Sequence, residues 1–191
     1  MKKLVALMLM MTLSMGLTAC GGEQSTETTK NDTEGKTAVE IFTDVWAAYG
    51  EEEKFALSGG DYDNMVSDAP GAVDVTKADA LNTLFGFPTE SAELIDDAAS
   101  MMHMMNQNNF TAAVYHVTNA EDVQAVADAL KENIMNRQWM CGFPDDLVIY
   151  SVGDDYVTAA FGLEENIDSF QSHLEEVYQS SELLYDEDLT F

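Results

Sequence analysis

The chain has 191 residues, with 35 Asp and Glu against 8 Lys and Arg, and a formal net charge of −27. A surface this acidic repels phosphate backbones, which excludes nucleic acid as a partner. The acidity is typical of a soluble surface, and it leaves open the attraction of cations, basic peptides or a basic protein.

The N-terminus has the pattern of a secretory signal. Residues 1–3 are MKK, the apolar run LVALMLMM follows, and residues 17–20 read LTAC. The apolar run is too short to span a membrane. LTAC resembles the bacterial lipobox, in which the signal is cut before the cysteine and the cysteine sulfur carries a diacylglycerol. We therefore expect removal of residues 1–19 and a lipid anchor on Cys20; the alternative is an ordinary signal with an unrelated cysteine.

Lipidation at Cys20 would place the protein on the extracytoplasmic face of the cell membrane. Two or three acyl chains such as palmitate hold a chain there stably, since each buried methylene contributes ~0.8 kcal/mol. Loss of Lys2 and Lys3 with the signal leaves 6 basic against 35 acidic residues, a charge near −29 (6 − 35). Cys141 is then the only other cysteine, so no intramolecular disulfide is available and a structural thiol is expected there.

The mature chain divides into a tether, a domain and a tail. Residues 20–36 are predicted to be the lipidated cysteine and a disordered tether, because the sequence GGEQSTETTKNDTEGK has no apolar periodicity. A random coil of this length spans ~20–25 Å. A single domain over residues 37–182 follows, and residues 183–191 are predicted to be an acidic tail.

The first third of the domain is predicted to be a short helical section. Thr37–Glu40 is a capping box that starts a first helix. Residues 51–75 carry Gly, Pro and Asp turn signals. A second helix follows Thr76 and is stopped by Gly86-Phe87-Pro88. A third helical segment is predicted from Thr89 to about Ala98.

The rest of the domain has the predicted order ββαββα. Two β-hairpins are indicated by short apolar runs that flank polar turns, and two helices by apolar residues at helical spacing. The predicted hairpin strands are 101–105 with 111–117 and 147–152 with 156–161, and the helices are 123–134 and about 164–179. This order favours an α+β fold with a four-stranded antiparallel sheet and helices packed on one face.

Taken together, the lipobox, the polar tether, the hairpin, the helix AEDVQAVADALKENI, the GDDYV hairpin and the terminal helix resemble a lipoprotein family of Gram-positive gut bacteria, domain of unknown function 4358. The resemblance covers residues 38–178. It implies the location and the fold, and it implies no activity. The segment around Cys141 and the methionines at 101–105 depart from the family pattern.

The sequence MMHMM at 101–105 is a candidate copper site, because thioether and imidazole groups are ligands for Cu(I). On a strand, Met101, His103 and Met105 would share one face, while Met102 and Met104 would fill the core on the other. Residues two apart on a strand are nevertheless too widely spaced to close a metal shell easily, so a core strand is the favoured interpretation.

The other two histidines are not expected to complete that site. A hairpin centred between residues 107 and 108 pairs position i with 215 minus i, so His116 opposes Ala99. That position lies ~13 Å along the strand from His103. His173, on the last helix, is predicted to be a surface residue.

A second cation candidate is the acidic stretch Asp61–Asp68. It has Asp at the first and third positions of a calcium loop, but Met65, Val66 and Ala72 stand where an EF-hand needs oxygen, glycine and glutamate. The alternatives are a weak irregular cation site or a solvated acidic loop.

The sequence contains no phosphate loop, nucleophile elbow or zinc-protease motif. We therefore expect a non-enzymatic binding or interaction module without a cofactor, attached to the membrane through Cys20. Trp139, Phe143 and Tyr156 form the candidate contact surface, with core packing as the alternative. The competing hypothesis is cation or copper handling at the cell envelope.

Overall fold

The structure, a computed structural model, describes residues 32–105, 109–140 and 142–189. Its helices are α1 Ala38–Ala48, α2 Ala78–Phe85, α3 Val123–Met135 and α4 Glu164–Val177. Its strands are β1 Leu57–Gly59, β2 Val66–Ser67, β3 Gly71–Ala72, β4 Ile95–His103, β5 Phe110–Val117, β6 Asp146–Val152, β7 Tyr156–Gly162 and β8 Glu182–Asp188.

The α+β class is confirmed, and the predicted order ββαββα corresponds to β4, β5, α3, β6, β7 and α4. The sheet is antiparallel throughout, in the order β2-β1-β4-β5-β7-β6-β8, with β3 also paired to β4. The four predicted strands are therefore its centre, and the described part of the chain adds four more strands at the edges.

Three of the added strands come from the region that was predicted as turns. In β1, a Cβ atom on Gly59 would lie 2.1 Å from the backbone nitrogen of Gly71. The two backbones approach this closely because neither position has a side chain. Ser100 then donates a side-chain hydrogen bond to the carbonyl oxygen of Gly60 at 2.8 Å. The glycines that were interpreted as turn signals thus also allow these short strands to pair with β4.

The predicted acidic tail is wrong for residues 183–188, which belong to the edge strand β8. Leu184 and Tyr185 pack against the core, and Glu187 pairs with Lys131 of α3. Because β8 is rich in acidic residues, its sequence does not indicate this apolar contact.

Asp188 lies directly opposite Asp146 of β6, and burial together with neighbouring carboxylates raises the pKa of Asp146. Charges of this kind disfavour edge-to-edge pairing of sheets.

Helices cover both faces of the sheet, so the prediction of helices on one face is wrong. Helices α1 and α4 pack on one face and α2 and α3 on the other. The central strands alternate between these two cores. In β5, Phe110, Ala112 and Val114 face α1 and α4, while Ala113, Tyr115 and Val117 face α2 and α3. Strands that are buried on both faces have continuous apolar runs, which do not show which face a helix covers.

The N-terminal segment is part of the domain from residue 32 onward. The carboxylate of Asp32 accepts hydrogen bonds from the backbone and side chain of Ser180, and Thr33 is buried. The Tyr156 hydroxyl donates to the carbonyl oxygen of Lys36 at 2.7 Å. Predicted disorder is therefore wrong for residues 32–36, because these polar groups find specific partners across the chain. Cys20 and residues 21–31 lie outside the described residues.

Two further predictions concern the helix starts. The capping box is confirmed: Thr37 and Glu40 exchange hydrogen bonds at the start of α1. The third helical segment is shorter than predicted, because Thr89–Leu94 is a 3-10 helix and β4 begins at Ile95. From Ile95 onward, the backbone pairs with β5 instead of continuing the helical turns.

The sheet has two ends that matter for function. At the tether end, the β6–β7 turn meets the N-terminal segment, since the Gly153 N–H donates to the Ser180 hydroxyl that holds Asp32. At the far end lie the start of β5, the start of β6 and the end of β7. There the Asp145 N–H donates to the Gly162 carbonyl oxygen at 2.8 Å. The eight residues of β5 separate the two ends by ~25 Å.

Candidate functional site

An open groove of about 390 Å³ lies at the far end of the sheet, in the segment between α3 and β6. It is lined by Arg137, Gln138, Trp139, Met140 and Phe143. Met140 is 89% exposed and Phe143 is 61% exposed. Single exposed apolar residues are ordinary, but several gathered around one groove are typical of a binding surface. Cys141, predicted to be a structural thiol, lies outside the described residues.

Arg137 and Trp139 form the inner side of the groove. The Arg137 guanidinium carbon lies 4.9 Å from the centroid of the Trp139 ring, a cation–π arrangement. The Arg137 Nη2 group donates a hydrogen bond to the carbonyl oxygen of Thr83 near the end of α2. The Trp139 ring lies 5.2 Å from the ring of Phe161 in β7. The groove is thus fixed to both α2 and the sheet, and burial lowers the pKa of Arg137 below its ordinary value.

The predicted contact surface is only partly brought together. Trp139 and Phe143 line the groove, but Tyr156 belongs to the tether end and is 4% exposed. Tyr156 begins β7, and its ring packs in the core beneath α1 while its hydroxyl bonds to Lys36. Including Tyr156 was therefore wrong, because β7 carries it to the opposite end of the sheet from Trp139.

The sequence prediction missed Arg137. Arg137 is the only arginine of the chain, and it lies directly before the aromatic and methionine residues of the groove. That signal was available in the sequence, but the contact of Arg137 with α2 depends on Thr83, which lies 54 residues away along the chain.

The predicted copper ligands do not form one site. Met101 is fully buried in the core beneath α1 and α4, while Met105 is 55% exposed beyond the end of β4. The His103 ring stacks on Phe55 at 4.6 Å, and its Nδ1 atom accepts the Met105 N–H at 3.0 Å. Burial lowers the pKa of His103. Of the two methionines predicted to fill the core, Met102 is partly buried against the core beneath α2 and α3, but Met104 is exposed.

The predicted register of the first hairpin is wrong by two residues. Met101 pairs with Ala112 and His116 pairs with Asp97, so that paired positions sum to 213. The connection between β4 and β5 is longer than predicted, and its residues 106–108 lie outside the described part. Six residues, ~20 Å, separate His103 from the partner of His116. The conclusion that the two histidines cannot share an ion does not change.

The acidic loop is built around a structural carboxylate. Asp61 is 4% exposed, and its carboxylate accepts backbone N–H groups from Asp63 at 2.9 Å, Asn64 at 3.0 Å and Asp74 at 2.8 Å. Burial alone would raise the pKa of Asp61, but these backbone hydrogen bonds outweigh it and lower the pKa. Asp63 pairs with Lys77. The carboxylate of Asp61 therefore accepts backbone hydrogen bonds that organise the loop. It is neither solvated nor free to bind a cation.

His116 lines a pocket of about 300 Å³ at the tether end. Its Nδ1 atom bonds to Asp96, and its Nε2 atom lies 3.3 Å from a carboxylate oxygen of Asp155. Burial opposes protonation of His116, but the hydrogen bond and charge of Asp96, with those of Asp155, raise its pKa. An imidazole whose two nitrogens both face carboxylates is suited to be a cation rather than a general base or a metal ligand.

We expect His116→Gln to destabilise the protein by about 1 kcal/mol at low pH and by less at high pH. Folding raises the pKa of this histidine, so its contribution to stability is complete below its pKa in the unfolded chain, ~6.5. The contribution is lost as the pH rises through its pKa in the folded protein. Urea denaturation between pH 5.5 and 9 measures the difference between the two proteins. His103→Gln is the control with the opposite trend, since burial lowers the pKa of His103. A difference for His116→Gln that does not change with pH would contradict this assignment.

The prediction that His173 lies on the surface is wrong, because its side chain is buried. It is 8% exposed, and its ring lies 4.1 Å from the ring of Tyr49. Helix α4 turns this position toward α1, which the spacing of the larger apolar residues alone does not indicate.

No protein-family model, no curated protein and no solved structure matches this chain. Within residues 32–105, 109–140 and 142–189, no helix is long and apolar enough to cross a membrane. In the same residues, no group of three or more His, Cys, Asp or Glu side chains is arranged to hold a metal ion.

Proposed function

We propose that this protein is a binding module, anchored by lipid on the extracytoplasmic face of the membrane as the resemblance to domain of unknown function 4358 implies. Its binding site is the groove around Trp139, Met140 and Phe143. The observation that carries the proposal is the gathering of exposed apolar side chains at the far end of the sheet.

The position of the groove supports this proposal. The lipid would be attached at Cys20, and the chain enters the domain at Asp32, at the tether end. The 11 residues between these two positions can reach at most about 40 Å from the anchor. The tether end is therefore the end of the domain next to the anchor along the chain, and the groove lies ~25 Å further along the strands. This leaves the exposed apolar side chains of the groove available to another molecule.

The described residues favour binding over the competing hypotheses. Both nitrogens of His116 face carboxylates, the Asp61 carboxylate is bonded to the backbone, and Met101 is buried. Within the described residues, the groups that the cation and copper hypotheses would need are therefore engaged by other contacts.

The test is site-specific photocrosslinking in cells that make the protein. A benzophenone amino acid replaces Met140 at the groove, and Leu183, which is 43% exposed in β8, is the matched control position. We expect a crosslinked species from position 140 that is absent from position 183 and is lost when Phe143→Asp is added. The variant Cys20→Ser reports the anchor separately, since we expect it to leave the membrane fraction.

Equal crosslinking from the two positions would overturn the proposal. So would crosslinking from position 140 that is unaffected by Phe143→Asp, because the groove would then not be the surface that binds.

A further inference from the structure

Arg137 differs from the other basic side chains that the structure describes. Lys36, Lys54, Lys77 and Lys131 each form an ion pair with a carboxylate. Arg137 forms no such pair among the described residues, although the chain has 35 acidic residues. A guanidinium presents a planar fork of donors that matches a carboxylate. The lack of a carboxylate beside Arg137 among the described residues therefore suggests that its partner is a ligand.

Two donor groups of the groove have no acceptor among the residues that the structure describes. The Arg137 Nη1 atom and the Trp139 Nε1 atom are both buried, and neither forms a hydrogen bond to the described residues. Buried polar groups in native proteins are almost always hydrogen-bonded. The two donors belong to side chains in direct contact, and both side chains line the groove. This pair of donors fits a ligand that carries two acceptor oxygens.

The outer part of the groove requires an apolar group beside those oxygens. Met140 and Phe143 supply exposed apolar surface next to Arg137, and the volume of about 390 Å³ suits a small group rather than a folded surface. The charge of the whole chain, −27, repels a ligand with many negative charges. The ligand should therefore combine one carboxylate with an apolar group.

From these observations we propose that the groove binds the free C-terminus of a peptide or protein whose last side chain is apolar. The terminal carboxylate bonds to Arg137 and Trp139, and the last side chain packs on Met140 and Phe143. This inference rests on the proposed function, because it names the partner of the same groove.

The test is titration calorimetry on the full-length protein in detergent. The probes are acetyl-Gly-Gly-Leu and acetyl-Gly-Gly-Phe, each as the free acid and as the C-terminal amide. We expect the free acids to bind at least about tenfold more tightly than the amides, since a charged hydrogen bond to a carboxylate is among the strong ones. In Arg137→Gln, we expect the free acid to bind no better than the amide.

The ratio of the affinity for the free acid to the affinity for the amide, measured within each variant, separates an effect on recognition from an effect on folding. Arg137 also bonds to Thr83, so Arg137→Gln loses some stability, but a ratio measured on one folded variant does not depend on that loss. Lys54→Gln is the matched control, because Lys54 pairs with Glu51 away from the groove, and its ratio should equal that of the unmodified protein.

Equal binding of acids and amides, or a ratio that survives Arg137→Gln, would overturn this inference. Absence of binding by all probes up to millimolar concentration would also overturn it. If crosslinking from position 140 persists in that case, the groove binds a ligand of another chemistry and the proposed function stands. If crosslinking is absent as well, both are wrong.

Discussion

Replacing Met101 with alanine should lower the free energy of unfolding by about 2–5 kcal/mol, the usual cost of removing a large apolar side chain from a core. Met101 is fully buried between the sheet and helices α1 and α4. The truncation would leave a cavity that the surrounding strands and helices cannot easily fill. Urea denaturation followed by circular dichroism measures this change.

Met104 provides the matched control for Met101. It has the same side chain three residues further along, but it is 55% exposed beyond the end of β4. We expect Met104→Ala to change the stability by less than about 0.5 kcal/mol, as for other exposed positions. Equal losses in the two variants would contradict the core assignment of Met101. Tight Cu(I) binding that disappears only in Met101→Ala would restore the metal hypothesis.

Asp61→Ala should destabilise the protein by about 1.5–3 kcal/mol at neutral pH. The substitution leaves three backbone N–H groups, those of Asp63, Asn64 and Asp74, without their carboxylate acceptor. Water can reach the exposed residues Asp63 and Asn64, and the Asn64 N–H also donates to the Asp61 carbonyl oxygen at 3.2 Å, so the expected loss is that of hydrogen bonds to a charged group rather than of three buried donors. Asp63→Ala is the control in the same loop. The Asp63 side chain is 71% exposed and pairs with Lys77 at the surface, so its loss should cost only about 0–1 kcal/mol.

The effect of Asp61→Ala should also depend on pH. Folding lowers the pKa of Asp61, so its contribution is complete above the unfolded value of ~3.9 and is lost as pH falls through the folded pKa. The difference between the unmodified protein and Asp61→Ala should therefore shrink below about pH 4, measured by urea denaturation. A difference that stays constant down to pH 2 would show that the ionised carboxylate is not what organises this loop.

The periodicity of the sequence identified the central elements because their signals are local. The capping box at Thr37–Glu40, the amphipathic pattern of α3 and the two hairpins all depend on residues within a few positions of one another. The same local signals failed at β8. The strand is held by contacts of Tyr185 and Glu187 with α3, more than 50 residues earlier in the chain.

The sites were harder to predict than the elements, because their residues are distant along the chain. His116 is bonded to Asp96 and Asp155, which lie 20 and 39 residues away from it. Arg137 is held by Thr83, which lies 54 residues earlier. No spacing rule connects such positions, so neither arrangement is visible until the strands are paired.

By itself, the sequence determined the α+β class and the order of the central elements, since local periodicity is sufficient for both. Only the tertiary structure decided that helices cover both faces of the sheet, because strands buried on both sides have no alternating pattern. It also decided that MMHMM contributes a core methionine and that Tyr156 lies away from Trp139. These outcomes depend on register and strand order, and a shift of two residues in the register moves every side chain to new neighbours.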